Sequence, residues 1–175
     1  MQINKHIERE ITQSVFLFEI NFDISKYKDK FIEDIEKGIK DNSNYNYKTN
    51  VKGKMTNWQY FTKNNEFINI VQLGANKIKE CLFLKDSQLV SAWGIKIDKG
   101  DKTIYHNHNE VTYSGILYLN DCDNLLNFPE LKIKIKPTEG TFLFFSSSLQ
   151  HGTEMNKSDI SKYAIPFNLA EKKDW

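Results

Sequence analysis

The chain has 175 residues with 24 basic and 23 acidic side chains, so its formal net charge at pH 7 is only +1. This length suits one folded domain over residues 1–175, and the near-neutral charge lacks the basic footprint of most nucleic-acid-binding proteins. With 12 Phe, 8 Tyr, 8 Gly and 3 Pro, the composition also argues against disorder.

Cysteine usage and apolar runs bear on the compartment. Cys81 and Cys122 form neither a disulfide framework nor a Cys-x-x-Cys zinc motif. No apolar run approaches the roughly 20 residues that span a bilayer, and residues 1–10 lack the apolar core of a signal peptide. We therefore expect a cytoplasmic protein, in a reducing compartment, without a membrane partner.

Residues 1–85 predict one strand followed by two helices. Ser14–Phe22 is short, apolar and aromatic, as strands are. Ser25 is a candidate N-cap for a helix whose apolar positions recur every four residues: Tyr27, Phe31, Ile35 and Ile39. A second helix is predicted over Asn65–Leu84, where Gly74 lies on the apolar stripe and favours close packing.

Residues 86–170 change to a pattern of strands. Turn-like residues separate short apolar or alternating segments, which are Val90–Ile97, Val111–Leu119, Leu131–Lys136, Thr141–Phe145 and Tyr163–Leu169. The alternation in Leu131–Lys136 is strict, so its lysines should face water. The pattern predicts a mostly β fold with flanking helices, an α+β chain whose two helices buttress one face of a β-sandwich or open barrel.

Three of the four histidines form one pattern. His106 and His108 are two residues apart, so on an extended segment their side chains point to the same face. His151, at a later strand end, can complete a three-ligand face around a metal ion. Such a face leaves coordination positions open, and open positions are typical of catalytic metal sites.

The order of motifs in the C-terminal half resembles a known family. His106-x-His108 is followed by SGILYLN at 114–120, GTFLFFS at 140–146, His151 and KYAIPFN at 162–168. Over about residues 50–169 this order resembles the iron(II)- and 2-oxoglutarate-dependent oxygenases of the prolyl-hydroxylase-like branch, and within it a short set common in bacteria and phages. The resemblance implies a double-stranded β-helix, the jelly roll of the cupin-like proteins.

The resemblance also implies the metal ligands. In that family a His-x-Asp or His-x-Glu pair and a distal histidine hold Fe(II). Here His106 and His151 match the two histidines, and His108 stands where the family has its carboxylate. We favour three neutral imidazoles as the ligands, with Glu110, two residues further on, as the alternative third ligand. Zn(II) is a rival metal because nitrogen donors bind it more tightly than Fe(II).

A cosubstrate site follows from the same resemblance. The far carboxylate of 2-oxoglutarate needs a cation, which the family places about ten residues after the distal histidine, and Lys162 stands near that position. Tyr118 matches a tyrosine that contacts the same carboxylate, and Ser114 and Asn168 are candidates for the pocket lining. Trp93 is a candidate for the pocket rim, although we favour a core position for it.

The implied activity is that of a dioxygenase, a hydroxylase that consumes 2-oxoglutarate and O₂ and releases succinate and CO₂. Its substrate would be a small molecule or a protein side chain, in the cytoplasm or, for a phage protein, the host cytoplasm. A cupin-like zinc isomerase, sensor or binding module is the alternative, and a structural jelly roll is a third reading. The position of Lys162 favours the oxygenase over the cupin-like protein, and the presence of the three histidines disfavours a purely structural jelly roll. The sequence leaves the substrate and the oligomeric state open.

Overall fold

The computed structural model describes residues 15–41, 49–80 and 85–172, which contain two helices and twelve strands. The helices are α1 (Lys28–Asp41) and α2 (Asn65–Lys79). The strands are β1 (Leu17–Asn21), β2 (Val51–Lys52), β3 (Lys54–Met55), β4 (Ser87–Ala92), β5 (Ile95–Ile97), β6 (Lys102–Thr103), β7 (Tyr113–Tyr118), β8 (Leu126–Phe128), β9 (Ile133–Ile135), β10 (Thr141–Ser146), β11 (Gly152–Thr153) and β12 (Lys162–Glu171). The predicted strand start at Ser14, the predicted end of the second helix at Leu84, and Cys81 lie outside the described residues.

The strands form a larger and a smaller layer. Seven strands make the larger antiparallel sheet in the order β1-β10-β7-β12-β5-β3, and β4 also pairs with β12. The smaller layer consists of the three-stranded sheet β11-β8-β9 and the two-stranded sheet β2-β6. This is the predicted mostly β architecture with two flanking helices, and the prediction is confirmed.

The larger sheet is buried on both faces. All six residues of β7 are buried. Tyr113 and Leu117 belong to the core that the sheet shares with the two helices, whereas Ile116 and Tyr118 belong to the core that it shares with the smaller layer. Successive strand residues point to opposite faces, so an almost continuous apolar run supplies two cores at once. The second of these cores surrounds the candidate site.

Both predicted helices are present, with shifted ends. α1 starts at Lys28, later than the predicted cap at Ser25, because the N–H groups of Tyr27 and Lys28 first bind the Ile24 carbonyl in a tight turn, at 2.8 and 2.9 Å. α2 is capped by Asn64, whose side-chain oxygen accepts the Phe67 N–H at 3.0 Å. Neither described helix is long and apolar enough to cross a bilayer.

The strand predicted over Val90–Ile97 is in fact two strands, β4 and β5. The break falls at Trp93 and Gly94, where the Gly94 N–H donates to the Thr56 hydroxyl at 2.9 Å and the Trp93 N–H donates to the Pro166 carbonyl at 3.1 Å. A Cβ on Gly94 would lie 2.3 Å from the Ile35 side chain. The sheet therefore opens where α1 approaches it. The three lysines of Leu131–Lys136 are exposed, as predicted.

The first prediction concerns Gly74, on the buried face of α2. A Cβ there would lie 2.5 Å from the ring of Phe142, which is fully buried and cannot move aside freely. Glycine-to-alanine changes on an exposed helix face stabilise by up to about 1 kcal/mol, but overpacking a core destabilises by about 1–3 kcal/mol. We expect Gly74→Ala to lower the free energy of unfolding, measured by urea denaturation. The exposed position Asn76→Ala is the control and should be neutral or slightly stabilising. Equal stability of Gly74→Ala and the wild type would contradict the packing argument.

Candidate metal centre

The backbone brings two of the three histidines together. His106 and His151 form an isolated antiparallel bridge, in which each N–H donates to the other residue's carbonyl at 3.0 and 2.9 Å. Their ring centroids lie 4.5 Å apart. The His108 ring lies 4.8 Å from that of His106 and 5.3 Å from that of His151. One nitrogen from each ring lies within 4.8 Å of the others, close enough to hold one metal ion.

Two backbone carbonyls set the orientation of two of these rings, those of His106 and His151. Nδ1 of His106 lies 2.7 Å from the Ile104 carbonyl, and Nδ1 of His151 lies 3.0 Å from the Leu149 carbonyl. A carbonyl only accepts, so each Nδ1 carries the proton and each Nε2 keeps a free lone pair. This is how histidine ligands are usually oriented towards a metal.

Burial keeps the cluster neutral. Desolvation, with a smaller contribution from His106, lowers the pKa of His108 to about 4. Desolvation, with smaller contributions from His106 and His108, lowers the pKa of His151 to about 3. Desolvation also lowers the pKa of His106, against the opposing hydrogen bond to Ile104. At neutral pH the three rings are therefore unprotonated nitrogen donors, the form that binds Fe(II) or Zn(II).

Glu110, the alternative third ligand, is exposed and lies outside the three-histidine cluster, which among the described residues is the group of His, Cys, Asp or Glu side chains close enough to hold a metal ion. The geometry thus fits a divalent ion held by His106, His108 and His151, and that ligand set stays a prediction.

A cavity extends from the histidines into the space between the two layers. Alternation along β7 and β12 directs side chains at every second position towards it, among them Ile116 and Pro166. The structure thereby brings the predicted cosubstrate residues to the same cavity as the histidines; they are Ser114, Tyr118, Lys162 and Asn168.

Lys162 is a buried cation without a described counter-ion. It is only 2% exposed, and its ammonium donates to Oδ1 of Asn124 at 2.5 Å and to the Asn124 carbonyl at 3.4 Å. Desolvation lowers the pKa of Lys162 to about 8. Burying an ammonium is unfavourable without an anionic partner. A ligand that brings a carboxylate into the cavity would supply that partner.

Asn124 is a site residue that the sequence analysis missed. It is 4% exposed, lies between β7 and β8, and donates to the Glu154 carbonyl at 2.9 Å. Its side chain thus holds Lys162 while being held itself, and it adds no negative charge. A single asparagine in a predicted loop gave no signal of this contact, because its partner is 38 residues away in the sequence.

Two buried donors on residues that line the cavity have no partner in the described part of the chain. Among the described residues, the buried side-chain nitrogen and oxygen atoms without a hydrogen bond are Nε1 of Trp93 and the hydroxyl of Tyr118. Both residues line the cavity. Burial raises the pKa of the Tyr118 hydroxyl, so it stays protonated and able to donate. Unpaired buried donors are unfavourable, and here they indicate a ligand rich in acceptor oxygens.

The other predicted pocket residues bond to each other. The Ser114 hydroxyl donates to Oδ1 of Asn168 at 2.8 Å, and Nδ2 of Asn168 donates to the Ser91 hydroxyl at 3.1 Å. They shape the wall of the cavity with satisfied groups. Trp93, expected in the core, is buried and also lines the cavity.

No protein-family model and no curated protein matches this chain, but solved structures share its fold. The viral collagen prolyl hydroxylase of Paramecium bursaria Chlorella virus-1, in complex with 2-oxoglutarate, is 19% identical with a TM-score of 0.67, over 89% of this chain and 96% of that one. A Pseudomonas putida prolyl-4-hydroxylase is 12% identical with a TM-score of 0.65, over 90% and 93%. HygX from Streptomyces hygroscopicus, with nickel and 2-oxoglutarate bound, is 12% identical with a TM-score of 0.61, over 89% and 83%.

The second prediction tests the ligand set. We expect wild-type protein to bind one divalent ion, and His106→Ala or His151→Ala to weaken binding by about 100-fold or more, since even residues that only support a ligand contribute 10- to 100-fold. His108→Asp should retain the metal because a carboxylate oxygen is also a ligand. Anaerobic titration calorimetry with Fe(II) measures these affinities, with Glu110→Gln as the control. Metal lost in Glu110→Gln but kept in His108→Ala would move the third ligand to Glu110.

The prolyl hydroxylases and HygX thus resemble this chain over nearly its whole length. The likeness confirms the predicted jelly roll, and the chain has the double-stranded β-helix fold of the 2-oxoglutarate-dependent oxygenases.

Proposed function

We propose that this protein is an Fe(II)- and 2-oxoglutarate-dependent dioxygenase that hydroxylates its substrate. One observation carries the proposal. A single cavity is lined by three neutral imidazoles, by a buried ammonium and by a buried hydroxyl. Among the described residues, the ammonium of Lys162 contacts Asn124 but has no counter-ion, and the hydroxyl has no hydrogen-bond partner. A metal-chelating keto acid with a second carboxylate would satisfy all of these groups together.

Each group of the cavity has a distinct role in this proposal. His106, His108 and His151 would hold the iron. The Lys162 ammonium and the Tyr118 hydroxyl would bind the far carboxylate, one by charge and one by a hydrogen bond. Bound Fe(II) supplies the oxidative chemistry in which O₂ and 2-oxoglutarate yield succinate, CO₂ and a hydroxylated substrate.

The walls exclude water from this chemistry. Apolar side chains from both layers line the cavity, among them Ile95, Ile116, Leu126 and Phe145. Low polarity strengthens the attraction between Lys162 and a carboxylate, because less solvent screens the two charges. It also keeps solvent away from the reacting atoms.

A cupin-like metal protein without 2-oxoglutarate is the competing function. It would account for the three histidines, but it gives no role to a buried Lys162 without a described counter-ion and a buried Tyr118 hydroxyl without a described partner in the same cavity. For the substrate we propose a small molecule or a protein side chain, consistent with the prolyl hydroxylases of the same fold, and for the compartment the cytoplasm.

The third prediction tests cosubstrate binding. Anaerobic Fe(II)-loaded protein should develop a weak visible charge-transfer band with 2-oxoglutarate and should unfold at a higher temperature. A ligand at 100 times its Kd stabilises the folded state by about 2.7 kcal/mol. Lys162→Met should abolish most of this shift while leaving Fe(II) affinity unchanged, and the exposed Lys134→Met is the control. A full thermal shift in Lys162→Met would show that another group binds the carboxylate.

The fourth prediction concerns Asn124. Asn124→Asp would place a carboxylate next to the Lys162 ammonium and neutralise it, so we expect the Kd for 2-oxoglutarate to rise about tenfold or more. The stability of the protein without ligand is not the readout, because the buried ammonium gains a counter-ion while the hydrogen bond from residue 124 to the Glu154 carbonyl is lost. Asn127→Asp adds the same charge, but Asn127 contacts the Tyr105 hydroxyl at 2.6 Å and not Lys162. Equal weakening by both variants would point to a general charge effect and contradict the specific role of Asn124.

A further inference from the structure

We propose that the indole N–H of Trp93 is a ligand-binding donor, which holds an oxygen of the 2-oxo acid group beside His108. The inference rests on the proposed function and adds to it a contact at the metal side of the cosubstrate. It concerns a residue for which the sequence favoured a core position.

The first support is the state of the indole nitrogen. Trp93 is 4% exposed, and its Nε1 is buried without a hydrogen-bond partner. Its one counterpart among the described residues is the Tyr118 hydroxyl, which lines the same cavity. Nearly all buried polar groups in folded proteins are paired, so two exceptions in one cavity indicate that a ligand completes both.

The second support is the fixed position of the ring. The Trp93 N–H of the backbone donates to the Pro166 carbonyl at 3.1 Å, which ties the residue to β12. The indole packs edge to face against Trp58, with ring centroids 4.5 Å apart. Held in this way, the buried indole has little freedom to turn towards another acceptor.

The third support is the neighbour of the ring. The Trp93 ring centroid lies 6.4 Å from that of His108, one of the three imidazoles of the candidate metal centre. Lys162 stands on the same strand as Pro166 and four residues before it. The Lys162 ammonium and the Trp93 indole would therefore contact different parts of a bound ligand, and the indole would contact the part next to the histidines.

The chemistry of the donor defines what it binds. An indole N–H only donates, so its partner is an acceptor oxygen. The metal-binding end of 2-oxoglutarate carries a carboxylate and a keto oxygen, and a donor to a charged oxygen forms the stronger kind of hydrogen bond. An oxygen of the hydroxylated substrate has similar chemistry, and the experiment separates the two sources.

Trp93→Phe tests the inference because it keeps an aromatic ring and removes the N–H. We expect two separable effects. The protein without ligand should lose stability only through the void that the smaller ring leaves, because no hydrogen bond of the free protein is lost. The Kd for 2-oxoglutarate, from anaerobic titration of the Fe(II) charge-transfer band, should rise about tenfold or more, as expected for a lost hydrogen bond to a charged group. A purely structural role would lower the stability and leave the Kd unchanged.

Trp58→Phe is the matched control. Trp58 is half-buried, contacts Trp93 and does not line the cavity. Because phenylalanine keeps an aromatic ring against Trp93, Trp58→Phe should change the Kd for 2-oxoglutarate much less than Trp93→Phe does. If Trp93→Phe does not fold, replacing tryptophan by benzothienylalanine in a Trp58→Phe, Trp175→Phe background removes the N–H with almost no change of shape.

The outcomes separate this inference from the proposed function. An unchanged Kd in a variant that lacks the Trp93 N–H overturns the inference, whatever its unfolding temperature. The donor would then serve the other substrate, or the residue would serve packing alone. If wild-type protein loaded with Fe(II) binds no 2-oxoglutarate, the proposed function fails and this inference fails with it.

Discussion

The pairing of β7 with β12 is the constraint on which the rest of the molecule depends. Their register sets Ser114 opposite Asn168 and Tyr118 opposite Ala164. Because side chains alternate, the same ladder directs one set of residues into the helix-side core and the other into the cavity. A shift by one residue would exchange the two sets, burying Lys162 among the apolar side chains of the helices. Stability and function are therefore specified by one set of backbone hydrogen bonds.

Close packing on the helix side keeps this register. Gly115 lies opposite Phe167, and a Cβ on it would come within 2.2 Å of the Phe167 ring and 2.6 Å of the Leu143 carbonyl. The ring of Phe167 in turn packs on Phe67 of α2. The two helices thus hold the central strands from behind, so the cavity side is free to carry polar residues that add little to stability.

Energetically unfavourable groups are concentrated on the cavity side of the larger sheet. This side contains a buried ammonium without a described counter-ion, two buried donors without described partners and three imidazoles whose pKa values are lowered by burial. Such departures from good packing and pairing are typical of functional sites, where a ligand completes what the protein leaves unsatisfied. The apolar cores on either side of the sheet offset them in the free protein.

Local patterns predicted much of the fold, and long-range contacts account for the rest. The four-residue period of α1 and the apolar segments of β7, β10 and β12 follow from residues close in sequence, so the elements could be predicted. The three histidines were singled out by the two-residue spacing of His106 and His108 and by the later His151, and the resemblance in motif order supported them as candidate ligands. The break at Gly94 depends on the approach of Ile35 from α1, and the role of Asn124 depends on a partner on β12. Neither contact leaves a local pattern.

The same distinction explains why Trp93 was placed in the core. Its apolar surroundings gave a correct prediction of burial, but a sequence cannot show that its N–H lacks an acceptor.

The absence of a carboxylate from the three-histidine cluster changes the electrostatics of the whole cavity. With neutral imidazoles as ligands, the protein contributes no negative charge to offset a divalent ion, and Lys162 adds a further positive charge. The attraction for a dianion is then stronger than in a site with an Asp ligand, since opposite charges in a poorly solvated space are weakly screened. Asn124 also leaves the positive charge of the cavity in place, because its neutral side chain positions the Lys162 ammonium without reducing its charge. If His108 is the third ligand, as proposed, its neutral ring and the neutral Asn124 both leave the positive charge of the cavity in place, which would favour the binding of a doubly charged keto acid.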